Sequence, residues 1–237
     1  MGKTGSGLAA FAQNAYTAGW GYCLGEFGRV LTPDILQQKC TQSGGVGIYN
    51  SGHRSYLETF MGRRVSDCYG LVKAYAWWND TRNNPVYDVS TDRNQEMACA
   101  ASLSKGTIAT LPEIPGVVLW MKGHCGIYLG GGVFVECVGA PVGMRKGTIE
   151  NGRVTAGSPF TNWFRDSYID YASGTTPLVL DGTTYDIHAE LHDGYHYADA
   201  KELLSIPVSE VPVRAYFEML GYTVRWENGA IDVTKNT

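Results

Sequence analysis

Ser66-Asp67-Cys68-Tyr69-Gly70-Leu71-Val72 sets a thiol at the mouth of a helix. Ser66 or Asp67 can cap it, and Leu71, Val72, Tyr75 and Trp78 recur at helical spacing, which predicts a helix over 68–79. Cys68 then falls in the first turn, where unpaired backbone N–H groups and the helix dipole favour a thiolate. Fifty-six residues on, His124-Cys125-Gly126-Ile127-Tyr128-Leu129 reads as a strand, and twelve residues further Glu136 lies in a second, Val133-Phe134-Val135-Glu136-Cys137. A nucleophile, a base and a carboxylate to orient the base are the parts of a thiol hydrolase.

Alternation along these two strands places the three groups. Cys125, Ile127, Val133, Val135 and Cys137 share a core-facing parity, which leaves His124, Gly126, Tyr128, Phe134 and Glu136 together on the opposite face. Direct pairing of His124 with Glu136 requires a loop of three or five residues within Tyr128–Gly132, and the glycines at 130, 131 and 132 permit it.

Outward from this site the first hundred residues read as helical, with candidates at 6–19, 33–41 behind a Thr32 cap, 53–61, 68–79 and 92–103. After Pro115 the pattern changes to short strands at 117–121, 124–129, 133–138, about 143–149 and 167–171. Helices followed by antiparallel strands make an α+β domain. Ala172-Ser173-Gly174-Thr175-Thr176-Pro177 is the linker candidate, dividing a domain at 1–172 from a small one at 173–237. Charge divides there too: 15 basic against 13 acidic residues precede Ser173, and 4 against 10 follow. In the second domain 178–180 and 184–190 read as strands around Asp181-Gly182. Helices end near Leu204 and cover Pro212 to Leu220, and Tyr222–Trp226 and Ala230–Val233 flank the hairpin signal Asn228-Gly229, so this domain too is expected to be α+β.

Several classes are disfavoured. A net charge of −4 without a basic stripe argues against nucleic-acid binding. No apolar run is long enough to span a membrane, and the start lacks a charged-then-apolar leader pattern, so synthesis in the cytoplasm without a signal peptide is expected. Six scattered cysteines suit neither a disulfide framework nor a zinc site, and five of them read as small buried hydrophobes. His188, His192 and His196 are spaced by four, but Asp193-Gly194 interrupts them. His188 and His192 then share a strand face with Glu190, which reads as a solvated face rather than a metal site.

Asp67-Cys68-Tyr69-Gly70-Leu71-Val72 resembles the nucleophile motif of the NlpC/P60 family of peptidoglycan-cleaving cysteine peptidases, and Gly123-His124-Cys125-Gly126-Ile127-Tyr128-Leu129-Gly130 resembles its histidine motif. Gly21-Tyr22-Cys23-Leu24-Gly25 is similar to the upstream Tyr-x-x-Gly segment, and Trp163…Tyr168-Ile169-Asp170-Tyr171 to the close of the domain in phage endolysins and cell-wall hydrolases. The resemblance covers about 20–171. It implies a papain-like fold and a Cys68–His124–Glu136 mechanism needing no metal or cofactor. Tyr22 and the Cys68 N–H are the implied oxyanion donors, and Asp67 meets either the substrate's free amine or, equally, only the helix cap. The implied substrate is the peptidoglycan stem peptide, cleaved at a γ-D-glutamyl–diamino acid bond at the cell wall.

Three departures from the family pattern stand out. Tyr69 replaces a small residue and is expected to reshape the pocket, Glu136 replaces a histidine, and a helical insertion at about 25–60 separates Tyr22 from Cys68 and is expected to cover the groove. Val211 to Trp226 resembles the stalk-like repeats of the copper-amine-oxidase N-terminal type, which implies spacing, wall attachment or dimerisation. Rival readings are an N-acetylmuramoyl-L-alanine amidase or an acyltransferase on the same fold, and a non-catalytic wall-binding or phage structural protein.

Overall fold

In the computed structural model, residues 3–41, 51–102 and 104–171 are described, together with five later strands, Thr175–Leu180, Thr183–His192, Tyr195–Ala198, Tyr222–Glu227 and Ala230–Lys235. The chain divides into two units, Met1–Tyr171 and Ala172–Thr237.

The first unit is α+β. Its elements begin with α1 (Gly5–Thr17), β1 (Gly21–Tyr22), β2 (Phe27–Val30), α2 (Pro33–Thr41), α3 (Ser51–Glu58), β3 (Arg64–Ser66) and α4 (Gly70–Ala76). A small pair, β4 (Trp78–Asn79) and β5 (Asn84–Pro85), leads to α5 (Gln95–Ala101). Seven strands follow: β6 (Lys105–Thr107), β7 (Val118–Met121), β8 (His124–Gly130), β9 (Val133–Val138), β10 (Gly143–Glu150), β11 (Arg153–Ala156) and β12 (Asn162–Phe164). They form one sheet in the order β11-β10-β9-β8-β7-β12-β6, antiparallel at every step.

Helix α1 lies against the middle of this sheet because its buried face is small. Thr4 caps it by accepting from the Gly7 N–H, and Leu8, Ala12 and Ala15 bury one stripe. At its start, Gly116 meets Gly5 backbone to backbone: a Cβ on Gly116 would lie 2.1 Å from the Gly5 carbonyl oxygen. Leu71, Val72 and Ala74 of α4 bury beside it, over Cys125, Ile127 and Val135 of the sheet. Full burial of each large aliphatic side chain in this layer contributes about 1.5–3 kcal/mol. The opposite sheet face is closed by Phe160, whose ring meets Phe134 edge-on at 5.3 Å.

Several sequence expectations need correction. Helix α4 begins at Gly70 rather than at Cys68 and stops at Ala76, because Trp78 and Asn79 pair with β5. No strand spans 167–171; Asp170 makes a single bridge to Thr4. The segment 25–60 is not wholly helical. Its β2 pairs antiparallel with β3, and β3 pairs parallel with β1, so the chain leaves and returns within one three-stranded sheet beside the turn that carries Cys68. Cys23, Leu31, Leu36, Leu57 and Val65 bury together as a second core beneath α2 and α3. Within it the fully buried Glu26 is held by Arg29 at 2.8 Å and Lys39 at 3.1 Å. Breaking such a buried cluster from one side costs about 3–5 kcal/mol.

In the second unit, the strand Thr175–Leu180 pairs antiparallel with Thr183–His192, which pairs in turn with Tyr195–Ala198. Tyr222–Glu227 and Ala230–Lys235 form a separate antiparallel pair. His188 and His192 therefore lie two pleats apart on one strand and His196 on the next. The helices expected near 203–204 and over 212–220 lie outside the described residues.

Candidate active site

Cys68 occupies the turn between β3 and α4, and its neighbours hold that turn from both sides. The Asp67 N–H donates to the Glu26 carbonyl at 2.9 Å, while Asp67 Oδ1 accepts from Gly70 N–H at 2.6 Å and Oδ2 from Gly25 N–H at 2.8 Å. Both carboxylate oxygens are thus committed to backbone amides, one at the first residue of α4 and one in the loop before β2. Burial, with Cys68 beside it, raises the Asp67 carboxyl to about 6. Gly70 is required here, since a Cβ at this position would lie 1.9 Å from the Glu26 carbonyl oxygen.

Tyr69 is turned into the core. Its ring is buried, and its hydroxyl donates to Asp166 at 2.6 Å and accepts from Arg93 Nε at 3.0 Å. Arg93 also pairs with Asp166 at 2.6 Å and lies over the Tyr168 ring. The residue after Cys68 therefore ties α4 to the closing segment of the unit.

His124 opens β8 with its ring stacked on Phe160, centroids 5.5 Å apart and planes 14° off parallel. Its Nε2 lies 2.7 Å from Glu136 Oε2, which leaves Nδ1 as the ring nitrogen for the Cys68 thiol that hydrogen-bonds the imidazole. Glu136 is directly opposite Gly126, not His124, and a bulge between Tyr128 and Gly130 sets this register. The direct pairing expected from sequence is replaced by a diagonal one on the same face, a separation that long side chains bridge.

Glu136 is fully buried, and Arg145 and Ser158 complete its shell. Its Oε1 accepts from Arg145 Nε at 2.9 Å and from Ser158 N–H at 2.9 Å, and Arg145 Nη2 donates to Ser158 Oγ at 3.1 Å. Burial alone would raise this carboxyl; the bonds from His124, Ser158 and Arg145 outweigh it and hold it at about 2. Burial disfavours the His124 imidazolium, yet the bonds to Cys68 and Glu136 raise it to about 9.

Cys68 is held well below the ordinary thiol range, chiefly by a hydrogen bond from the Cys125 thiol and, against the opposing effect of burial, by His124. Cys125 itself is pushed up by burial and by the charge on Cys68, so it stays a thiol and a donor. The lowered thiol and the raised imidazole both favour a Cys68 thiolate facing a His124 imidazolium.

Tyr22 completes the surround. It is opposite Ser66 in the β1–β3 pairing, and burial, with Asp67 and Cys68 close by, raises its phenol so that it remains an O–H donor. Its own N–H donates to the Tyr56 hydroxyl of α3 at 2.9 Å, so the insertion reaches the site through Tyr56.

No family model, curated protein or solved structure matches the chain.

Cys68, His124 and Glu136 are brought together, with Tyr22 beside them and Asp67 beneath the turn. Sequence reasoning missed Arg145, Ser158, Phe160 and the donor role of Cys125. Arg145 is legible only once the β9–β10 register is known, where it falls opposite Glu136. Among the described residues no group of His, Cys, Asp and Glu is placed to hold a metal, and no helix is long and apolar enough to cross a membrane.

Proposed function

We propose that the unit Met1–Tyr171 is a papain-like thiol hydrolase of the NlpC/P60 type, cutting an amide bond in peptidoglycan stem peptides at the cell wall. The observation that carries this reading is the continuous chain of hydrogen bonds from Cys68 through His124 to Glu136. The motifs around Cys68 and His124 direct it to stem peptides, and the γ-D-glutamyl–diamino acid bond is the one they favour.

The geometry supports the following chemistry. The Cys68 thiolate attacks the amide carbonyl carbon, and the oxyanion forms beside the Tyr22 hydroxyl and the Cys68 N–H. The imidazolium of His124 gives its Nδ1 proton to the leaving nitrogen as the C–N bond breaks, leaving a thioester. Neutral His124 then takes a proton from water, hydroxide adds to the thioester carbonyl, and the thiolate leaves. Glu136 holds the ring by Nε2 throughout. Asp67 shapes the turn, and the second unit supplies spacing, attachment or dimerisation.

Digestion of purified walls of several chemotypes, with mass spectrometry of the products, tests the reading. A newly exposed diamino-acid amine supports the endopeptidase, a freed muramic lactyl group indicates an amidase, and absence of any product from every wall type refutes the hydrolase.

A further inference from the structure

The buried carboxylate of Glu136 presents a problem that His124 cannot solve alone. During turnover His124 alternates between imidazolium and neutral imidazole. In the neutral half of the cycle a carboxylate partnered only by His124 would be an uncompensated charge in the interior, which is strongly unfavourable. It would take up a proton or draw one back from the imidazole.

Arg145 lies directly opposite Glu136 across β9 and β10, and its fork divides the carboxylate. Nε and Nη2 both address Oε1, at 2.9 and 2.8 Å, so that Oε2 is left for His124 at 2.7 Å. Nη2 also donates to Ser158 Oγ, and the Ser158 N–H donates to the same Oε1, so the plane of the carboxylate is set from two sides. The chain of contacts crosses three adjacent strands, from Arg145 on β10 through Glu136 on β9 to His124 on β8, and ends at Cys68.

We propose that Arg145 is a positioning residue for the Cys68–His124 pair, clamping Glu136 so that the carboxylate keeps its charge and its aim whichever protonation state His124 is in. This rests on the reading of Cys68 and His124 as a working ion pair. Lysine carries the charge without the fork, so it substitutes only in part.

The groups facing this network are His124 and Cys125 from β8, Arg145 from β10, Cys137 from β9, Tyr22 from β1, Asp67 from the nucleophile turn and Ser158 from the loop before β12. Of these Arg145 is the permanent cation. Without it Glu136 protonates at higher pH, the imidazolium loses its anchor, and the Cys68 thiolate is less favoured on the acid side.

The test is the pH dependence of Cys68 alkylation by iodoacetamide in the full chain, which needs no substrate. The acid limb in Arg145→Gln is expected about one pH unit above that of the unmodified chain, with Arg145→Lys between the two. Thermal midpoints are measured alongside, because a residue that only supports the fold lowers the midpoint without moving the limb. If Arg145→Gln does not fold, Arg145→Lys decides: a limb above that of the unmodified chain supports the clamp, and an unmoved limb overturns it. Any order other than unmodified, Lys, Gln in folded proteins also overturns it. A chain that shows this order yet cuts no wall keeps the clamp and loses the hydrolase reading; one that cuts walls without the order loses the clamp alone.

Discussion

Glu136 Oε2 meets His124 Nε2 at 2.7 Å although the two residues sit diagonally, not opposite, across β8 and β9. Glu136 pairs with Gly126, two residues along β8 from His124, and an offset of two preserves the face each side chain occupies. A shift of one would have turned Glu136 into the helical layer and away from the ring. The site therefore depends on an even offset in one hairpin, and on Phe160, which stacks on the ring and keeps it from swinging.

Cys68 should be the first cysteine to be alkylated near neutral pH. It is the thiol held well below the ordinary range, whereas Cys99, Cys125 and Cys137 are raised by burial. Peptide mapping after brief iodoacetamide treatment is expected to place the label on Cys68 ahead of the other five.

Cys125→Ala should move the acid limb of that reaction upward. It removes the thiol that donates to the Cys68 thiolate, a bond to a charged acceptor but from a weak donor, so the expected shift is about one pH unit. A limb that stays in place would make Cys125 a packing residue only.

Glu136→Gln tests the orienting carboxylate. Its bond raises His124, so losing it lowers the imidazole, and the alkaline limb of kcat/KM should fall below about 9. The loss in kcat/KM should be smaller than for His124→Ala, where removal of the acid–base group costs about 10²–10⁴-fold. A pH–rate profile of each variant on a soluble stem peptide reads both effects.

How much of this was legible in the chain varies from residue to residue. Alternation alone set His124 and Glu136 on one face, because period-2 patterning is local. The bulge that chooses between a direct and a diagonal pair is a property of the folded turn. Tyr69 reads as a bulky intruder beside the nucleophile, yet Asp166, 97 residues on, takes its hydroxyl and turns the ring inward. Cys125 reads correctly as buried, but the contact of its thiol with Cys68 depends on how α4 docks on the sheet. The residues that meet at the site were thus visible in the chain, while the groups packed around them came from long-range register and packing.

Tyr22→Phe should separate oxyanion stabilisation from thiol activation. The ring and its burial are kept while the hydroxyl is lost, so Cys68 alkylation should hold and kcat/KM should fall, by up to about 10²–10³-fold if the phenol is a principal donor. Equal kcat/KM would leave the oxyanion to backbone N–H groups.

A chain ending at Tyr171 should fold and cleave soluble stem-peptide fragments about as well as the full chain, since Met1–Tyr171 is a compact unit. Its activity on intact walls should fall if the second unit binds wall and hold if that unit is a spacer or dimerisation element. Circular dichroism and turnover of the two chains read this directly.

The most direct test of the central claim compares wall digests by the full chain and by its Cys68→Ala variant, with released amines quantified by mass spectrometry. The account requires new amine ends from the unmodified chain and none above background from a folded variant. Equal release by both would contradict it, because the account assigns the attack to the Cys68 thiolate, while the neighbouring Cys125 is held as a thiol.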